Sequence, residues 1–208
     1  LDFIAERDGV NISGLSDGQR VMIRAGLSKL RILEEGFTSF DSKKYPKMLI
    51  VCEDTSVVPY VTDFLLKEGV SENCIMEIHS NKKGEVTPEE WDKIKQILFS
   101  LDSRKEPQII VSVLMLREGF DVNNICVIVP LRASTSYILL EQLIGRGLRL
   151  MWREPEYLDI KYENRVKLLE KKVEPDNYLD ILSIIEHPAF IEYYDRVLGD
   201  AVGKVEEV

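Results

Sequence analysis

The sequence is poor in the groups that staple small or exported domains. Its 208 residues hold three cysteines, Cys52, Cys74 and Cys126, with no C-x-x-C pair. Neither a disulfide framework nor a structural zinc site is expected, and a reducing cytoplasm is the natural setting. Only two histidines are present. His79 closes an apolar run and is expected to hydrogen-bond at a strand end; His187 precedes Pro188 and is expected in a cap or turn. No apolar run approaches the roughly 20 residues of a membrane span. Leu1-Asp2-Phe3 opens into polar sequence without a leader pattern, and the lack of an initiator Met leads us to expect a piece of a longer protein. There is no G-x-x-x-x-G-K-[ST] loop to cradle phosphates and no acidic box for magnesium. Gly203-Lys204-Val205 is followed by no Ser or Thr. No nucleophile elbow or Gly-rich cofactor loop is present, which argues against a small-molecule α/β enzyme. Pro175-Asp176 begins like a nuclease cluster, but no E-x-K follows at useful spacing.

What is present is enough for a sizeable core, with 45% hydrophobic and 8% aromatic residues. Lys and Arg number 27 against 36 Asp and Glu, a net charge of −9. That balance argues against a protein that coats DNA through summed phosphate neutralisation, but leaves room for a local basic groove. The acidity is uneven. Residues 154–208 carry 14 acidic and 7 basic side chains, net −7, leaving −2 for the first 153.

Apolar periodicity predicts a helix from Leu15 to Glu35, with Gly36 as its stop. Met48-Leu49-Ile50-Val51-Cys52 is a continuous apolar run that reads as a strand buried on both faces. A helix pattern follows from Ser56 to Glu68, ending at Gly69. Ile75 to Ile78 reads as a second strand, Ile109 to Val113 as a third and Ile125 to Val129 as a fourth. Thr87-Pro88-Glu89-Glu90 is a capping-box start for a helix running to about Leu101. Ser134 or Thr135 can cap a helix carrying Tyr137 to Gly145. Strands alternating with helices predict right-handed crossovers and a mostly parallel sheet covered on both faces. We place a helical lead-in at 1–36, the sheet domain at 37–153 and a mostly helical acidic extension at 154–208. In the extension, Tyr178 to Glu186 and Ala189 to Leu198 read as helical pieces.

Two stretches carry chemistry. Gln142-Leu143-Ile144-Gly145-Arg146-Gly147-Leu148-Arg149 has the pattern Q-x-x-G-R-x-x-R. Arginines three apart share one helix face, and two guanidiniums converging on one point suit a triphosphate. Gly145 and Gly147 remove bulk, letting a ligand or another domain approach the backbone. A helix of solvated arginines is the plainer reading. Against it stand glycines that each cost about 1 kcal/mol over Ala inside a helix. The second stretch, Ser112 through Arg117-Glu118-Gly119-Phe120-Asp121, runs from a strand into a Gly turn and an acid. Asp121 at such a strand end could accept from a ribose hydroxyl or be an ordinary turn residue.

Taken in order, strand, REGFD, strand and Q-x-x-G-R-x-x-R helix resemble motifs V and VI of superfamily 2 helicases. Within that superfamily the chain looks most like the Res subunit of type III restriction enzymes. Leu49 through Thr55 resembles that group's motif IV, Ile78 through Glu85 its strand-end segment, and Glu186 through Phe190 a patch downstream of the core. The resemblance implies a three-layer α/β RecA-like fold of the P-loop-NTPase type. It also implies that Arg146 and Arg149, one of them an arginine finger, reach the ATP γ-phosphate across a domain interface with Gln142. Gly119 and Asp121 match the motif V Gly-x-Asp, and Gly145 lies in the nucleotide-facing motif VI. Thr55 and Ser56, at a helix start, match a contact to the nucleic-acid backbone. Many relatives place a Thr in motif V for that backbone; here the counterpart is Ser112, off register by one position.

With the P-loop and magnesium box lacking, the resemblance implies the second half of a two-domain motor plus an extension. ATP and Mg²⁺ would be held mainly by a first motor domain of the same parent chain. Double-stranded DNA is the expected substrate, a modification (methyltransferase) subunit is a further candidate partner, and no membrane is involved. The alternatives are another superfamily 2 repair or remodelling helicase, and a non-catalytic α/β nucleic-acid-binding module. Cys52 and Cys126 are expected in the core, as is Trp91. Trp152, beside Arg149 and Arg153, is open to burial, to nucleic-acid stacking or to an interdomain contact.

Overall fold

The computed structural model describes residues 14–78, 96, 100–113, 124–131 and 151–185. Its centre is a five-stranded parallel sheet with β1 (Lys47–Cys52), β2 (Ile75–Ile78), β3 (Ile109–Val113), β4 (Ile125–Pro130) and β5 (Ser183–Ile184). The order is β2-β3-β1-β4-β5, every pairing parallel. β1 and β4 are buried along their whole length. The continuous apolar runs reflect that position, because a parallel strand between helical layers has no wet face.

One face of the sheet carries Met48, Ile50, Val111, Val127 and Val129. It is covered by helices α1 (Asp17–Phe40) and α2 (Val58–Lys67). The opposite face carries Leu49, Val51, Ile110 and Ile128, packed with Ile78 and Leu101. This is an α/β fold of the RecA-like kind.

α1 opens on a capping box. Ser16 Oγ accepts from the Gln19 N–H at 3.3 Å, and Gln19 Oε1 accepts from the Ser16 N–H at 3.0 Å. Ile23, Leu27, Leu30 and Leu33 form its buried stripe. Gly26 in that stripe allows close packing: a Cβ there would meet Val129 Cγ2 at 2.6 Å and Met48 Sδ at 2.8 Å. Gly36 does not end the helix as its sequence suggests. α1 runs on to Phe40, because Phe37 is buried against Trp152 and that burial outweighs the roughly 1 kcal/mol a helical glycine costs. α2 starts at Val58, two residues later than expected, and stops before Gly69, whose φ of +86° suits only glycine.

The segment after the sheet departs further from expectation. A short 3₁₀ turn (Pro155–Tyr157) leads into α3 (Leu158–Arg165) and a π-helical turn (Val166–Glu170). Tyr178 to Glu186 is not helical where described. Asp180 adopts a left-handed φ of +54°, which breaks any helix there. Ser183 and Ile184 then pair with Val127 and Ile128 as the edge strand. Trp152 is fully buried and not a stacking surface. Its ring lies edge-on to Phe37 at 5.1 Å and Tyr157 at 4.8 Å, with Phe40 at 6.2 Å. Trp91, His79, His187, the Thr87 helix start, the Ser134–Thr135 cap with its helix and the Ala189–Leu198 piece lie outside the described residues. No helix among the described residues is long and apolar enough to cross a membrane.

Candidate nucleic-acid and nucleotide interface

The strand order decides where a ligand would gather. The chain leaves β1 toward β2 and β3 on one side, then crosses β1 to reach β4 and β5 on the other. Open α/β sheets bind at such a reversal, outside the carboxyl ends of the strands. The three central strands end level: Cys52 stands opposite Val113, and Val51 opposite Pro130. The chain beyond β1 is the Asp54-Thr55-Ser56 loop. Beyond β3 it enters the stretch with Gly119 and Asp121, and beyond Leu131 the stretch with Gln142, Gly145, Arg146 and Arg149. Those six residues, with Arg117 and Glu118, lie outside the described residues. In the chain, each of the three sequence-derived stretches follows the carboxyl end of one central strand.

The loop after β1 is folded by its own acid. Asp54 Oδ1 accepts from the Ser56 N–H at 2.7 Å and from the Ser56 hydroxyl. This Asx turn hands the chain to α2, whose N-cap, Val57, offers no side-chain cap. Ser56 is exposed and Thr55 half-buried. Both therefore stand near a helix N-terminus that could face a phosphate. Both Ser56 donors are engaged by Asp54, however, so a phosphate must compete with a carboxylate for them. Ser112 is placed differently. It lies within β3, between Val51 and Ile78, and is 3% exposed. In this conformation a phosphate cannot reach its hydroxyl.

Gln19 has a part the sequence reading missed. Besides completing the capping box, its Nε2 donates to the Leu131 carbonyl at 3.3 Å, while the Leu131 N–H donates to the Val51 carbonyl at 2.9 Å. The start of the arginine-bearing stretch is thus tied to α1 and β1. The signal was Ser16-Asp17-Gly18-Gln19, the S-x-x-Q of a capping box. Among the described residues no three His, Cys, Asp or Glu side chains gather closely enough to hold a metal ion.

Residues 28–151, more than half the chain, match the helicase conserved C-terminal domain. The chain belongs to that family. The match begins inside α1 and ends at Met151, one residue before the buried Trp152. The chain is also similar over a shorter stretch to the type I restriction enzyme EcoKI endonuclease subunit of Escherichia coli (strain K12). There, 58 residues are 40% identical, covering 28% of this chain and 5% of that protein. The chain thus matches only a small part of that relative's length.

Proposed function

We propose that this chain is the second motor domain of an ATP-dependent DNA translocase of the restriction-enzyme kind. Membership of the helicase C-terminal family carries the reading. The chain order of its stretches after successive parallel strands supports it, as does the Q-x-x-G-R-x-x-R spacing. Motifs IV to VI point toward a type III Res subunit; the 58-residue similarity points toward a type I subunit. A restriction-type motor is the reading both support. ATP and Mg²⁺ are held mainly by the first motor domain of the parent chain. Arg146 and Arg149 reach in from this one to meet charge developing on the γ-phosphate, with Gln142 beside them. Gly119 and Asp121 face the nucleotide or adjacent catalytic elements. Thr55, Ser56 and the α2 N-terminus face the backbone of double-stranded DNA, Ser56 exchanging its bonds to Asp54 for a phosphate. A methyltransferase subunit is a further partner of such an assembly.

The test is DNA-stimulated ATP turnover by the full-length parent carrying Arg146→Ala or Arg149→Ala. A trans-domain arginine is worth ~10³–10⁵ in rate in other NTPases, so at least one variant should collapse kcat while staying folded. Near-normal kcat in both would make the arginines structural and favour a non-catalytic nucleic-acid-binding module.

A further inference from the structure

Met151 and Trp152 lie outside helix and strand, yet their backbone is held at every polar atom. The Met151 N–H and the Trp152 N–H both donate to Asp180 Oδ1, at 2.9 and 3.1 Å. The Met151 carbonyl accepts from Lys44 Nζ at 2.9 Å, and the Trp152 carbonyl from Lys161 Nζ at 2.6 Å. Lys161 Nζ also lies 3.0 Å from Asp180 Oδ2, in an ion pair whose side chains are only 16% and 8% exposed. Lys44 in turn pairs with Glu154 at 2.7 Å. Below this dipeptide the Trp152 ring is locked among Phe37, Phe40 and Tyr157.

Buried backbone needs partners, but uncharged groups or water would serve. Here three charged side chains converge, and Asp180 holds an unfavourable left-handed backbone to do so. Two of the three, Lys161 and Asp180, come from beyond residue 151, where the helicase-family match ends. Arg149 precedes Met151 by two residues. The other end of the same stretch, at Leu131, is tied by Gln19 and Val51.

We propose that Asp180 and Lys161 are positioning residues for Arg149. The extension fixes the downstream end of the arginine-bearing stretch through an ionic clamp on Met151-Trp152, and so sets the rate of ATP turnover. The proposal rests on the motor reading above. A displacement of about 1 Å at a reacting group can cost ~10²-fold in rate, which a released clamp could produce without touching nucleotide or DNA.

The experiment measures DNA-stimulated ATP turnover by the full-length parent in six forms: wild type, Arg149→Ala, Asp180→Ala, Asp180→Asn, Lys161→Gln and the double variant Arg149→Ala with Asp180→Ala. Circular dichroism and thermal melting identify the folded variants. Asp180→Ala should lower kcat by ~10–10²-fold with KM for ATP and Kd for DNA within about twofold of wild type. Asp180→Asn keeps an acceptor for both N–H groups and should recover most of the rate. Added to Arg149→Ala, Asp180→Ala should slow turnover no further, because both act through one group. Should Asp180→Ala fail to fold, Lys161→Gln carries the same expectation in milder form. Normal kcat in the folded clamp variants, or a loss that multiplies with that of Arg149→Ala, overturns the clamp while leaving the motor reading intact. Normal kcat in Arg149→Ala also overturns the clamp, and the motor reading falls with it only if Arg146→Ala is normal as well.

Discussion

A methyl group at position 26 has nowhere to go. Its neighbours would be Val129 Cγ2 at 2.6 Å and Met48 Sδ at 2.8 Å. Met48 can swing its sulfur aside, but Val129 is β-branched and held in the central sheet. Gly26→Ala should therefore destabilise the fold by ~1–3 kcal/mol, the usual range for overpacking. Urea unfolding should show a lower midpoint with an unchanged slope. Trp152→Ala should cost ~3–5 kcal/mol, as for other large aromatics lost from a core; wild-type stability would mean that the ring lies at the surface. The thiols give a separate check. Burial pushes the Cys126 thiol up to about 12, and Cys52 is equally enclosed. Half-buried Cys74 is also raised, by burial and then by the neighbouring Glu106. With a thiol-reactive dye at neutral pH, the native chain should label slowly and at Cys74 first, the other two reacting only on unfolding. Rapid labelling of Cys126 would contradict its place in β4.

At the scale of elements, α1 is fastened to its surroundings by carboxylates. Glu34 pairs with Lys105 at 2.9 Å and Arg24 with Glu68 at 2.7 Å. Burial pushes Glu34 upward, but the close Lys105 ammonium, the neighbouring Gln108 amide and the charge of Lys47 more than reverse this, leaving it below its ordinary 4.5. Glu68 is lowered by its hydrogen bond to Arg24, and Glu154 by its bond to Lys44. The folded state keeps these groups charged to lower pH than the unfolded chain does. Their contribution is thus fully present above about 4.5 and is lost as pH falls through the depressed folded values. Denaturant midpoints measured from neutral pH to pH 3 should decline below 4.5, and less steeply in Glu34→Gln. An unchanged slope in that variant would mean Glu34 is unpaired in solution.

The same elements mark how far a sequence can be read. The four strands of the main sheet were legible because β-rich apolar runs between turn residues have few other uses. Gly36 misled because a local propensity of ~1 kcal/mol competes with a distant contact, Phe37 on Trp152, that periodicity cannot see. β5 was unreadable for a related reason: two residues carry no pattern, and their pairing depends on Asp180 turning the chain through a side-chain contact 28 residues away. At the candidate site, sequence placed Thr55 and Ser56 beside a helix start. It had no means of seeing that Asp54 occupies Ser56, whereas the burial of Ser112 was already implied by its place in a strand covered on both faces.

On the scale of the whole molecule, the net charge of −9 opposes contact with a polyanion. On the proposed reading, attraction would come from the basic residues between Arg146 and Arg153 and from the α2 N-terminus. DNA binding by this chain alone should be weak and fall steeply between low and moderate salt. Tight binding that survives moderate salt would instead indicate a self-sufficient nucleic-acid module. The central claim is that this chain is half of a motor, bringing arginines to a nucleotide that another domain holds. Its most direct test is steady-state ATP hydrolysis by the purified, folded 208-residue chain, with and without DNA. The account predicts no turnover above background in either condition. Clear turnover that disappears in Arg149→Ala would contradict it, since the chain would then bind and hydrolyse ATP without a partner domain.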